Sequence, residues 1–168
     1  MSEPTFLAAW MPHLMLAPIL LPLLSAALML LLPEEKHRTK LVMNLGSTLL
    51  GLVIACALLV WAHQQGEPAS MGVYLPGNWP APFGIALALD RLSALMLVLT
   101  SAVGLAAALY GSARWYRAGV HYHPLFQFQL MGLAGAFLTA DLFNLFVFFE
   151  IMLAASYGLM LHGSGRAR

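Results

Sequence analysis

The sequence predicts an all-α integral membrane protein of about five transmembrane helices, with a short β-hairpin or loop on its outer face. Three observations lead there. Hydrophobic residues make up 61% of the chain and charged residues 9%, with a mean hydropathy of +0.80. Soluble domains carry about a quarter charged residues, so the charges here are too few to coat a soluble globule of 168 residues. The apolar residues gather into runs close to the ~20 that a helix needs to cross a bilayer. The cations between those runs fall almost entirely on one side of the array.

The runs cover residues 14–32, 41–62, 92–112, 124–139 and 142–161, within a single membrane domain. Helices are expected because lipid offers the backbone no hydrogen-bonding partner. Pro18 and Pro22 lie near the start of the first run, and a bend is expected there. "PEEKHRTK" separates runs one and two, "ARWYRAGVHYH" separates three and four, and the connector between four and five is only about "TADL". The longer segment 63–90 joins runs two and three. Within it, Val73 to Leu75 and Ile85 to Leu89 flank a Pro/Gly/Asn turn, which suits a hairpin or an irregular interfacial loop. Tyr74 and Trp79 suit the headgroup level.

Lys36, Arg38, Lys40, Arg114, Arg117, Arg166 and Arg168 all lie an odd number of runs from the N-terminus, and only Arg91 lies on the opposite side. By the positive-inside rule the N-terminus is outside, and the end of this chain is cytoplasmic. The N-terminus, with Glu3 instead of a basic region, does not read as a signal peptide. The net charge of +1 and the lack of a basic cluster give no footing for nucleic acid. The single cysteine, Cys56, excludes an internal disulfide and a multi-cysteine metal site, and reads as a small buried hydrophobe. No phosphate loop or nucleophile elbow occurs, so no cofactor, metal or enzymatic centre is expected. The remaining polar residues read as structural: His121 and His123 as surface residues, His13, His37, His63 and His162 as helix-end residues. Gly104, Gly132, Gly135 and Ala136 permit close helix contact.

Two acids stand out. Asp141 begins the last run, where its carboxylate fits a helix cap or a group that admits protons from the outer face. Glu150 follows nine positions later, ~13 Å along a helix and so near the midplane of a ~30 Å hydrocarbon layer. An ionised acid there costs at least ~2.5–3.5 kcal/mol. Its face carries Phe143, Phe146, Val147, Leu153, Ala154 and Tyr157, and no basic residue shares the run. The carboxyl is either a protonated, hydrogen-bonded group inside a bundle or a group that exchanges its proton with help from outside the run.

"GNWPAPFGIALALDRLSALMLVLTS" and "FLTADLFNLFVFFEIMLAASYGLM", with "APILLPLLSAALMLLL" near the start, resemble the D subunit of the multisubunit monovalent cation/proton antiporters, the Mrp family. The likeness covers nearly the whole chain, and the antiporter-like subunits of respiratory complex I are the related alternative. The resemblance implies an antiporter-like fold of about fourteen helices built from inverted repeats, of which this chain is the N-terminal part. It implies that Glu150 is the family's fifth-helix acid, paired with a lysine on a later helix. It also implies exchange of Na⁺ or K⁺ for protons within a hetero-oligomer in the bacterial plasma membrane. The chain stops soon after the fifth run, at "HGSGRAR", so the partner lysine is expected beyond it. Two other readings stay open: a proton-pumping subunit of complex I or a membrane-bound hydrogenase, and a structural membrane fragment without transport of its own.

Overall fold

The computed structural model describes residues 6–64, 72–79, 84–114 and 121–162. These form the helices α1 (Phe6–Leu14), α2 (Ala17–Leu31), α3 (His37–Gln64), α4 (Arg91–Arg114), α5 (Tyr122–Leu138) and α6 (Leu142–Leu161). Strands β1 (Gly72–Tyr74) and β2 (Leu87–Leu89) lie between α3 and α4.

The expected first run, 14–32, corresponds to α2, and a separate short helix, α1, precedes it. Met15 and Leu16 leave α1 in a turn, their amides donating to the carbonyls of Pro12 and His13. Pro18 then sits in the first turn of α2, where a missing amide costs nothing. Pro22, further in, removes one more helical hydrogen bond. The short α1 was not anticipated, because its apolar residues lie beside a polar N-terminal stretch.

Among the described residues three helices, α3, α4 and α6, are long and apolar enough to cross a membrane, against the five runs expected. The other two are shortened by local chemistry. α2 has 15 residues and stops just before Pro33. α5 has 17 and ends when Thr139 takes an extended conformation. That residue forms a β-bridge with Leu87, and the Ala140 amide donates to the Ala86 carbonyl. The end of α5 is thus tied to the hairpin.

The hairpin is antiparallel, with Gly72 opposite Leu89 and Tyr74 opposite Leu87. After β1 the chain turns through a short 3₁₀ segment. There Gly77 (φ 77°) and Asn78 (φ 55°) are left-handed, a conformation that glycine adopts freely and asparagine tolerates. Leu87 and Leu89 point into the core beside Met15, Leu58 and Leu138. Tyr74 reaches α1, its hydroxyl 2.9 Å from His13 Nδ1. Trp79 is exposed, as an interfacial ring would be.

Asp90 caps α4. The Ser93 amide donates to its Oδ1 at 2.6 Å, and this bond holds the carboxyl below its usual range. Asp90→Ala should therefore cost about 0.5–2 kcal/mol of stability. A depressed acid stabilises the fold fully above the unfolded value, about pH 4. That contribution is lost as pH falls through the lower folded value. Thermal melts in detergent should show this acid-dependent loss in the native chain. Asp90→Asn, which keeps an acceptor oxygen, should lack it; an identical pH profile for the two would refute the assignment.

Close contact between α5 and α6 rests on Gly132 and Gly135. A Cβ at Gly135 would overlap the Phe148 ring, and one at Gly132 would crowd the Phe148 carbonyl at 3.1 Å. Gly104 similarly admits Leu130 against α4. Cys56, expected to be buried, is exposed on α3. It borders a shallow hollow shared by Met11 of α1 and Val60, Trp61 and Gln64 of α3.

Candidate functional site

The hairpin anchors Thr139, and Thr139 in turn arranges the start of α6. Its hydroxyl oxygen accepts from the Asn144 side-chain amide at 3.1 Å and from the Asp141 backbone amide at 3.3 Å. Asp141 is extended, and its carboxylate oxygens accept from the amides of Phe143 (3.1 Å) and Asn144 (3.3 Å). Both oxygens of Asp141 are therefore engaged in capping α6.

Nine residues on, Glu150 lies on the opposite side of α6 from the packed face. Asn144, Phe148 and Ala155 are buried toward α5. Phe143, Phe146, Val147, Glu150, Leu153, Ala154 and Tyr157 are all exposed. The apolar collar read from helical spacing is present, but it is open: the described helices cover the other side of α6. Among the described residues the Glu150 carboxylate has no hydrogen bond and no ion pair. Also among them, no group of three or more His, Cys, Asp or Glu could hold a metal ion. Asp141 and Glu150 are on one helix but are not brought together.

A second polar constellation lies between α2, α3 and α5, built from residues that the sequence reading did not single out. Gln127 on α5 is fully buried. Its Nε2 donates toward Asn44 Oδ1 (2.7 Å), Thr48 Oγ1 (3.0 Å) and the Asn44 carbonyl (3.1 Å), and its Oε1 accepts from Ser47 at 3.2 Å. Ser25 on α2 donates to Ser47 at 2.9 Å. Beside this network sits a cavity of about 30 Å³, lined in part by Ser47, Thr48, Thr100, Ser101 and Gln127.

At the α2–α3 loop end of the same seam, two expectations fail. His123, expected on the surface, is 2% exposed, one helical turn before Gln127. Lys40, read as a loop charge, is equally buried on the first turn of α3. Both belong to helix ends that fold inward past the loops. The available signal was the i,i+4 series Lys40–Asn44–Thr48 facing His123–Gln127, a polar stripe within apolar helices. Close by, the Tyr122 ring lies 5.6 Å from that of His162, so the start of α5 and the end of α6 share one end of the bundle. Burial, then the nearby His121, pushes the His162 ring below its usual value. His121 is exposed, as read from the sequence. Of the charges used for orientation, Arg117, Arg166 and Arg168 lie outside the described residues.

No protein-family model matches the chain. It is 56% identical over 160 residues to a protein of Rhizobium meliloti named as the D subunit of a probable K⁺/H⁺ antiporter, covering 95% of this chain and 30% of the relative. It is 36% identical over 156 residues to the D subunit of the Na⁺/H⁺ antiporter of Bacillus subtilis, covering 91% of this chain and 30% of the relative. The chain thus spans about 30% of the length of these curated relatives. Its fold matches a chain in the structure of the Mrp complex from Dietzia sp. with a TM-score of 0.81 and 35% identity, over 94% of this chain and 28% of that one. A chain of the archaeal membrane-bound sulfane sulfur reductase, a respiratory membrane complex, matches with a TM-score of 0.76 and 28% identity, over 92% of this chain and 31% of that one.

Proposed function

Starting from a multi-pass membrane chain homologous to antiporter D subunits over nearly all its length, we propose that it is the N-terminal portion of such a subunit. We further infer that Glu150 is its proton-exchanging acid. The observation that carries this reading is the position of Glu150 at mid-α6, on an apolar face left uncovered by the described helices. A carboxylate at that depth is costly unless a partner stabilises it. The open face suits a further membrane segment bearing a cation. At an effective dielectric of ~20, unit charges 4 Å apart interact by ~4 kcal/mol. An attraction of that size offsets the ~2.5–3.5 kcal/mol insertion cost. Making and breaking it would load and release a proton.

The transported cation is K⁺ or Na⁺, exchanged for H⁺ within a hetero-oligomer of the bacterial plasma membrane. K⁺ is the first to assay, because the 56%-identical relative is named for it. The N-terminus lies outside, and the α2–α3 loop and the end of α6 are cytoplasmic. Asp141 serves first as the α6 cap, with access of protons from the outer face as its second role. The fold match to a respiratory complex supports a second reading, in which redox chemistry instead of a cation gradient drives proton movement.

Difference infrared spectroscopy on the assembled complex distinguishes these. The carboxyl band lost in Glu150→Gln should change with pH and shift when K⁺ or Na⁺ is added. A response to electron donors but not to salt would favour the respiratory reading. A band unmoved by pH, salt or donors would end both.

A further inference from the structure

We propose that the end of the bundle where α3 and α5 begin and α6 ends binds the phosphate of an anionic phospholipid, held by His123, Lys40 and His162. The site depends on the chain spanning a membrane and not on the role assigned to Glu150.

Two independent observations call for an anion here. The first is a set of buried ring nitrogens without partners. Among the described residues neither nitrogen of His123 has a hydrogen bond, nor does His162 Nε2. His123 is 2% exposed, and buried polar atoms left unpaired are rare in a native fold. The rings are near one another. Tyr122 contacts both, 5.2 Å from the His123 ring and 5.6 Å from the His162 ring. Its hydroxyl lies against Gly111 of α4 and satisfies neither imidazole.

The second is charge. Lys40, on the first turn of α3, is also 2% exposed, and lysines are seldom buried this deeply unless paired. The groups that act electrostatically on His123 are His37 and Lys40 of α3 and His162, all of them basic. His121, again a base, acts on His162. The nearest acids in sequence, Glu34 and Glu35, are exposed in the α2–α3 loop. His121, at the N-cap of α5, makes no side-chain capping bond, so first-turn amides of α5 are open to an anion as well.

The position selects the ligand. α3 and α6 are long and apolar enough to cross a membrane, so this end lies where the apolar layer gives way to headgroups. The abundant anion at that level is lipid phosphate, and basic pockets between membrane helices at such a boundary hold phospholipid headgroups. Val42 of α3 and Met160 of α6 are exposed apolar residues toward the same end, a surface on which acyl chains can lie. A metal ion does not suit the site: among the described residues no group of three or more His, Cys, Asp or Glu could hold one. An imidazole offers an N–H in either protonation state. Phosphate oxygens therefore accept from His123 and His162, while Lys40 supplies the balancing charge. Lys40, on its flexible four-carbon stem, is the side chain that moves to admit the headgroup.

The test uses the assembled complex with ring-nitrogen-labelled histidine, in nanodiscs of phosphatidylcholine with or without phosphatidylglycerol. Dipolar dephasing of nitrogen by phosphorus in solid-state NMR reports histidine rings in contact with a phosphate. Phosphatidylglycerol should produce a dephased histidine signal that neutral nanodiscs lack. His123→Phe should remove the His123 part of it. Lys40→Met should raise the phosphatidylglycerol fraction needed for half the effect roughly tenfold, the loss expected for one charged hydrogen bond. Lys40→Arg, which keeps the charge, should retain the signal. The measurement on the unsubstituted complex stands even where a variant fails to assemble, and no dephasing there would overturn the proposal. Equal dephasing in phosphatidylcholine alone would overturn the choice of an anionic lipid. A signal unchanged in both His123→Phe and Lys40→Met would place the lipid elsewhere and overturn the site. Inorganic phosphate added to neutral nanodiscs has its own phosphorus line; dephasing from that line alone would make the ligand a soluble anion and overturn the lipid assignment.

Discussion

Glu150→Gln should abolish cation-dependent proton movement by vesicles that carry the assembled complex. Glutamine keeps the size and hydrogen-bonding capacity of the side chain but cannot take up or release a proton. A positioned acid or base commonly contributes a hundredfold or more to a proton-transfer step, and here the acid is proposed to be the exchanged site itself. The fall should therefore be at least on the order of a hundredfold, down to the background of vesicles lacking the subunit. Assembly should be unaffected, because the neutral amide gives up the proposed ion pair together with the cost of an ionised carboxylate in lipid. Glu150→Asp shortens the reach by one methylene and should leave a slow residual exchange. Fluorescent readout of the pH gradient after a pulse of K⁺ or Na⁺ measures all three proteins. Transport by the glutamine variant at the native rate, with native abundance of the complex, would remove Glu150 from the mechanism.

The second large effect is on stability. Gly135→Ala places a methyl where the Phe148 ring already lies. In water, helices associate through apolar burial; in lipid that drive is weak, and close packing at small residues carries the association. Overpacking should cost about 1–3 kcal/mol and should pry α5 from α6. The consequence reaches Asp141 and Glu150, because α6 is placed by that contact and by the Thr139 anchor. Unfolding in mixed detergent micelles should show the loss. Phe148→Leu should relieve part of it in the double variant, giving a coupling of about 0.5–3 kcal/mol between neighbours in contact. If Gly135→Ala unfolds like the native chain, the two helices are not as close at this point as described.

Particular residues show how far the sequence was legible. The hairpin could be read because Pro76, Gly77 and Asn78 specify a turn between short β-capable pieces. Its partner could not: the bridge from Leu87 to Thr139 joins residues 52 positions apart, and local pattern carries no record of it. Asp141 could be placed at a helix start because an aspartate before a long apolar run has few other uses. Glu150 could be singled out by its cost in lipid, and its face could be listed from helical spacing. Whether that face is enclosed or open could not, since the answer depends on which elements pack against the other side. Cys56 and His123 were misplaced for one reason. Composition says how apolar a segment is, not which side of its helix meets a neighbour.

What the sequence alone determined is the class of the protein, the apolar runs that form its longer helices, and the placing of one acid, Glu150, midway along α6. These follow from local chemistry: the transfer cost of each residue. Only the tertiary structure decided that Gln127, Asn44, Ser47 and Ser25 share one network, that His123 and Lys40 turn inward, and that Glu150 faces away from the described bundle. Those facts depend on how α2, α3 and α5 are rotated about their own axes. In helices this apolar, a few polar positions do not by themselves fix the rotation in advance; it is set by contacts between residues far apart in the chain.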